Sequence, residues 1–285
     1  MAEKDQACSS ASSCSRESCE GCPSRGGEQA SFLVEQNAGS NIRHVIGIVS
    51  GKGGVGKSLV TASLANALAG TGARVGILDA DITGPSIPKM YGLTGPAEAL
   101  SETEILPLIT SNGIKVMSLN LIMEDPEQAV IWRGPIIAGV VKQFWTDVVW
   151  GELDYLLVDM PPGTGDVPLT VFQSLPVDGI FIVTSPQDLV QMIVTKALNM
   201  AKAMNIPVLG VIENYSYLRC PDCGKQIDVF GKSRIEDIAG IAGLAVAGRI
   251  PIEPEYSEKA DEGRFAEVDN EYIRGALDCI RRIKG

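Results

Sequence analysis

One stretch constrains this chain more than any other: Gly51-Lys52-Gly53-Gly54-Val55-Gly56-Lys57-Ser58. It matches G-x-x-x-x-G-K-[ST] in full. An apolar run, His44–Val49, precedes it, and Val60, Leu64 and Leu68 follow at helical spacing. Glycines in such a loop permit backbone angles that turn N–H groups inward as an anion cradle. The helix that follows adds its positive end. Gly51, Gly53, Gly54, Val55 and Gly56 are therefore candidate phosphate-binding residues. Lys57 would reach the β and γ phosphates, and the Ser58 hydroxyl would ligate Mg2+. A glycine-rich turn without a ligand is the competing reading, disfavoured because strand, loop and helix are all in place.

The rest of the chain agrees with that start. Short apolar runs recur at Val75–Leu78, Val116–Leu119, Tyr155–Val158, Ile180–Val183, Leu209–Ile212 and Val246–Ile250. Between most of them lie helical patterns, such as Leu189, Ile193, Ala197, Met200 and Met204. Runs apolar on both faces, alternating with helices, predict an α/β fold with a mostly parallel sheet of about seven strands, covered on both sides. Glu104–Met117 reads as a small hairpin insertion. This domain spans 41–285, and a loop at 215–230 interrupts its alternation. Residues 1–40 form a separate Cys/Ser-rich tail. Between Cys8 and Ser24 lie seven serines and four cysteines, with too few aliphatic residues to offset the entropy of ordering.

The net charge of −11 argues against a general nucleic-acid binder, which needs a basic face. No stretch reaches the roughly 18 apolar residues of a membrane span. The first residues, Met-Ala-Glu-Lys-Asp-Gln, lack the apolar core of a signal peptide. The expectation is a cytoplasmic protein with no nucleic-acid or membrane partner. In that compartment the seven cysteines point to metal or redox chemistry rather than structural disulfides.

Two runs end in carboxylates, Val75–Leu78 in Asp79-Ala80-Asp81 and Tyr155–Val158 in Asp159. Acids at the carboxyl ends of parallel strands point at the ligand crevice. Lys52, one residue into the loop, resembles the extra lysine of the deviant Walker A group, which includes ParA, MinD and nitrogenase iron protein. That resemblance implies a lysine that crosses a dimer to the partner's nucleotide, a charge suited to phosphoryl transfer. It implies Asp159 as the Walker B residue, holding Mg2+ through water, and Asp81 as the switch I residue that positions the attacking water. Met160-Pro161-Pro162-Gly163-Thr164-Gly165-Asp166 is similar to switch II. The guanine-reading Asn-Lys-x-Asp is absent, and Asn214 lies where relatives hold adenine, which implies ATP.

Cys220-Pro221-Asp222-Cys223-Gly224 forms a knuckle whose two thiolates converge on one metal. Zinc or a four-iron cluster wants four ligands, and no histidine lies nearby. A twofold dimer would bring the partner's Cys220 and Cys223 to the same metal. Lys52 asks for the same symmetry. A redox-active pair or a zinc site is the alternative. Cys8, Cys14, Cys19 and Cys22 offer four further thiols, enough for a second cluster or a zinc site. Metal ligation would organise that tail. Cys279 reads as a small apolar residue of the last helix.

The phosphate loop, the aspartates, Thr184-Ser185-Pro186-Gln187-Asp188 and Gly210-Val211-Ile212-Glu213-Asn214-Tyr215-Ser216 before Cys220-x-x-Cys223 together resemble the Mrp (ApbC) family over residues 40 to 285. The resemblance implies an ATP-dependent iron–sulfur cluster carrier. It implies a homodimer with a labile [4Fe-4S] cluster between subunits on the Cys220/Cys223 pairs, delivered to apo iron–sulfur proteins. The N-terminal cysteines are similar to those of branches that add a second cluster, with a departure in spacing after the first cysteine. The runner-up is a ParA- or MinD-like spatial organiser with a structural zinc knuckle. A MinD-like anchor would use Ile273, Leu277, Ile280 and Ile283 beside Arg274, Arg281, Arg282 and Lys284. An electron-transfer reductase is disfavoured, because no cysteine lies between Cys22 and Cys220.

Overall fold

A computed structural model describes residues 33–81, 84, 86–123, 134–163, 165–186 and 190–283. Cys8, Cys14, Cys19, Cys22, Thr164, Gln187, Asp188, Leu189 and Lys284 lie outside the described residues.

The chain alternates strand and helix from its first described element. β1 (Ser40–Ser50) leads through the phosphate loop into α1 (Lys57–Ala69) and β2 (Val75–Asp79). A short α2 (Ile87–Met90), β3 (Leu108–Ile109), β4 (Lys115–Ser118) and α3 (Gly134–Thr146) follow. Then come β5 (Gly151–Asp159), α4 (Asp166–Ser174), β6 (Gly179–Thr184), α5 (Val190–Ala203) and β7 (Val208–Glu213). A two-stranded hairpin, β8 (Leu218–Arg219) and β9 (Gln226–Ile227), precedes α6 (Ile235–Ala242), β10 (Val246–Arg249), α7 (Pro254–Asp261) and α8 (Arg274–Ile280).

Eight strands form one sheet in the order β10-β7-β6-β1-β5-β2-β4-β3. Every neighbouring pair is parallel except β3–β4. All seven predicted runs are strands of this sheet. The eighth, β3, is an antiparallel edge added inside the predicted hairpin. That hairpin is no separate insertion: Leu108 pairs with Val116, and β4 is itself the strand beside β2.

Both faces are covered, which is why the central strands are apolar on both sides. Val60, Leu64 and Leu68 of α1 pack with Ile87 of α2, Tyr256 of α7 and Ile280 of α8 in one core. Phe144 of α3, Phe172 of α4, Ala197 of α5 and Ile238 of α6 belong to the other. The C-terminal apolar stripe is used in packing: Ile273 and Ile280 are buried, while Leu277 and Ile283 lean on the same core. Cys279 is half-buried against it, and burial raises its thiol pKa.

Register brings the functional strand ends to one edge. Ile48 pairs with Asp159, Asp79 with Asp159, Ser50 with Val183, and Thr184 with Glu213. β1 lies between β5 and β6, so the phosphate loop leaves the sheet at its middle.

Candidate functional site

The loop after β1 is shaped by two left-handed glycines, Gly54 (φ 78°) and Gly56 (φ 75°). A Cβ on Gly56 would lie 2.1 Å from the Asn214 amide nitrogen, so the backbone there is closed against β7. The outer side of the loop is open. A Cβ on Gly54 would meet no atom within 4 Å, and one on Gly53 only Pro162 at 4.0 Å. A cleft of about 460 Å³ lies over this side, within the range of small-ligand sites. Gly53 to Ser58, Asp81, Pro162, Tyr215 and, from α7, Ser257 and Asp261 line it.

Beneath the loop, Asp159 is the hub. Its carboxylate is fully buried at the end of β5. Ser58 Oγ donates to it at 2.5 Å and Thr61 Oγ1 at 2.8 Å, and Lys57 Nζ lies 2.8 Å away. The Thr61 hydroxyl also lies 3.1 Å from the Lys57 carbonyl, on the inner face of α1. Asp81 stands 3.6 Å from Lys57 Nζ. Asp79 completes the group, accepting from the Asp81 N–H at 3.2 Å and from Ser118 Oγ at 3.3 Å. Burial first, and the Asp159 charge next, push the Asp79 carboxyl well above its ordinary range. Three acids thus share one buried ammonium. The donors, Ser58 hydroxyl and carboxylate oxygens, are the hard ligands Mg2+ prefers.

Glu213-Asn214-Tyr215-Ser216 leaves β7 in a sharp turn, with Tyr215 at φ 56°. The buried Asn214 donates its amide to the Val55 carbonyl at 3.0 Å, bracing the phosphate loop from behind. Tyr215 lines the cleft, its hydroxyl near Gly56. Lys52 is half-buried on the loop.

The cysteines crown the β8–β9 hairpin. The Cys220 N–H donates to the Lys225 carbonyl at 2.9 Å, and the Gly224 N–H to the Cys220 carbonyl at 2.9 Å. Gly224 adopts φ 69°, which closes the knuckle. Backbone N–H groups of Cys223 and Asp222, then the Cys223 side chain, face the Cys220 sulfur and lower its thiol pKa. That surrounding favours the thiolate, the form that ligates metal. Cys223 is exposed and Cys220 half-buried. Among the described residues, no group of three or more His, Cys, Asp or Glu could hold a metal ion. The pair therefore offers two ligands by itself.

The structure brings Lys57, Ser58, Asp81 and Asp159 into one cluster, with Asn214 behind the loop. It adds Thr61, to which the sequence gives no role, and Asp79, which the sequence marks only as one of the strand-end acids. Thr61 sits one helical turn after Lys57, a spacing that places it on the same face. Asp79 carries the same signal as Asp159, an acid closing an apolar strand.

A family model described as NUBPL iron-transfer P-loop NTPase, of the ParA group, matches residues 41–283. The iron-sulfur cluster carrier protein of Methanocaldococcus jannaschii is 47% identical over 253 residues, covering 86% of this chain and 87% of that protein. Its counterpart in Clostridium perfringens is 44% identical over 267 residues, 91% of this chain and 94% of that one. Among solved structures, a nucleotide-binding protein from Archaeoglobus fulgidus in complex with ADP is 40% identical. It aligns at a TM-score of 0.73 over 86% of this chain and 93% of its own. The cell-division ATPase MinD of Pyrococcus furiosus, 22% identical, shares the fold at 0.60 over 85% of this chain and 99% of its own. With its phosphate loop, carboxylate-ended strands and matched span, this chain belongs to the NUBPL iron-transfer family of ParA-type P-loop NTPases.

Proposed function

We propose that this protein is an ATP-hydrolysing carrier that assembles a [4Fe-4S] cluster between two copies of itself and transfers it to apo iron–sulfur proteins. One observation carries the reading. A cysteine pair, short of ligands by itself and with backbone N–H groups facing the Cys220 sulfur, crowns a hairpin rooted in the strand end that braces a nucleotide loop. The names of the relatives and the ADP bound to the Archaeoglobus neighbour support it.

In this reading the open N–H groups of Gly53 to Gly56 bind phosphate oxygens. Lys57 turns from Asp159 toward the β and γ phosphates. Ser58 and, through water, Asp159 hold Mg2+, which supplies charge neutralisation at the transferring phosphoryl group. Asp81 orients the attacking water. Lys52 reaches the nucleotide of the partner copy, and Asn214 stands beside the adenine. Cys220 and Cys223 of each copy ligate the cluster, which is cargo rather than a resident group. Cys8, Cys14, Cys19 and Cys22 hold a second, firmer cluster in each chain.

Iron, acid-labile sulfide and zinc are counted on protein purified without oxygen. A bridging cluster gives about four iron and four sulfide per dimer, and N-terminal clusters raise each to about twelve. Cys220→Ala with Cys223→Ala removes the bridging share while nucleotide binding persists. Zinc without sulfide, unchanged by reconstitution, would overturn the carrier reading.

A further inference from the structure

Glu213 is a charged residue with 1% of its surface exposed, and the mechanism above gives it no task. A buried carboxylate is costly unless its oxygens are satisfied. Here they are satisfied by the two roots of the cysteine hairpin. Ser216 Oγ, just before the hairpin, donates to Oε2 at 2.6 Å. Ser233 Oγ, in the segment between β9 and α6, donates to Oε1 at 2.7 Å and accepts the Ile235 N–H at 3.1 Å. Arg249 Nε backs the arrangement, 3.1 Å from Ser216 Oγ and 3.6 Å from Glu213 Oε2.

The neighbouring residues face the other way. Asn214 holds the Val55 carbonyl of the phosphate loop, and Tyr215 lines the nucleotide cleft. Backbone bonds make the segment stiff: Asn214 N–H to Thr184 O, Ile250 N–H to Glu213 O and Ser216 N–H to Ile250 O, all at 2.8 Å. Four consecutive residues thus grip the phosphate loop with the middle pair and the hairpin with the outer pair. The left-handed turn at Tyr215 sets the two pairs on opposite sides of the segment. Hydrogen bonds to a carboxylate at this length are the short, strong kind.

We propose that Glu213 is a positioning residue that fastens both roots of the cysteine hairpin to the strand end bracing the phosphate loop, so that nucleotide occupancy resets the accessibility of Cys220 and Cys223. The inference deepens the carrier reading by naming how its nucleotide site regulates its cargo site.

The test is alkylation of the reduced, metal-free full-length protein by iodoacetamide, with Cys220 and Cys223 resolved from the other cysteines by peptide mass spectrometry. Rates are compared with and without Mg2+ and a non-hydrolysable ATP analogue. In the wild type the nucleotide changes the rate by about fivefold or more, as a coupling between two sites requires. In Glu213→Gln and Ser233→Ala the change falls below about twofold while analogue affinity is kept, the sign of lost coupling. Ser233→Thr, which retains the hydroxyl, restores it. Three results would overturn the proposal: no nucleotide response in the wild type, a full response in both variants, or a response lost together with analogue affinity. None of these depends on the iron and sulfide count, so failure here and failure of the carrier reading are distinguishable.

Discussion

At the residue scale, Asp159 explains why the phosphate loop needs more than its motif. Its two oxygens take hydrogen bonds from Ser58 and Thr61 and face Lys57, which gathers the three α1 side chains on one carboxylate. Preorganised charge is what phosphoryl transfer asks of a protein. Lys57→Ala leaves Asp79, Asp81 and Asp159 without their shared ammonium and removes a contact to the transferring group. ATP hydrolysis, followed as phosphate release, falls by about a hundredfold, the usual cost of losing one such stabiliser. Unchanged turnover would place the hydrolytic engine elsewhere.

At the element scale, the sheet is tied at the edge opposite the site. Asp154 in β5 accepts from Arg74, just before β2, through the backbone N–H at 2.9 Å and Nε at 3.1 Å. Arg43 Nη1 of β1 stands 3.4 Å from the same carboxylate. Hydrogen bonds from Arg74 hold the Asp154 pKa down at about 2, below the ordinary carboxylate range. A depressed acid contributes stability above its unfolded pKa and loses it as pH falls toward the folded one. The pair is partly exposed and screened, so Asp154→Asn costs about 0.5 kcal/mol at neutral pH. Urea unfolding shows this gap closing between about pH 4 and pH 2 as both forms become neutral. A gap constant down to pH 2 would mean that the tie carries no charge.

At the scale of the whole molecule, the cleft and the cysteine hairpin belong to one body, the compact unit Val34–Gly285. Among the described residues no helix is long and apolar enough to cross a membrane, and the stripe that resembled a membrane anchor is spent on the core. In the proposed carrier the pair on the hairpin is completed by a second copy, whereas the four N-terminal thiols suffice for a site within one chain. Removing residues 1–30 therefore lowers iron per chain but leaves dimerisation intact, as analytical ultracentrifugation and iron analysis together can check. A monomeric truncated protein would place part of the interface in the N-terminal segment.

The sequence alone determined the features that depend on local chemistry. The eight residues from Gly51 to Ser58 carry their conformation in their glycines, and the seven apolar runs announce strands because both faces must avoid water. Asp79, Asp81 and Asp159 are legible for a related reason: acids at or just past the carboxyl ends of parallel strands face the crevice where ligands bind. Tertiary structure decided what pairs across the chain. Thr61 looked like a helix residue until β5 brought Asp159 within 2.8 Å of it. Leu108–Ile109, two residues long, became a strand only because β4 offered an open edge. Glu213 resembled any strand end until the hairpin returned Ser233 to it. Side chains separated by many residues meet through register and crossover geometry, and no local pattern records that meeting.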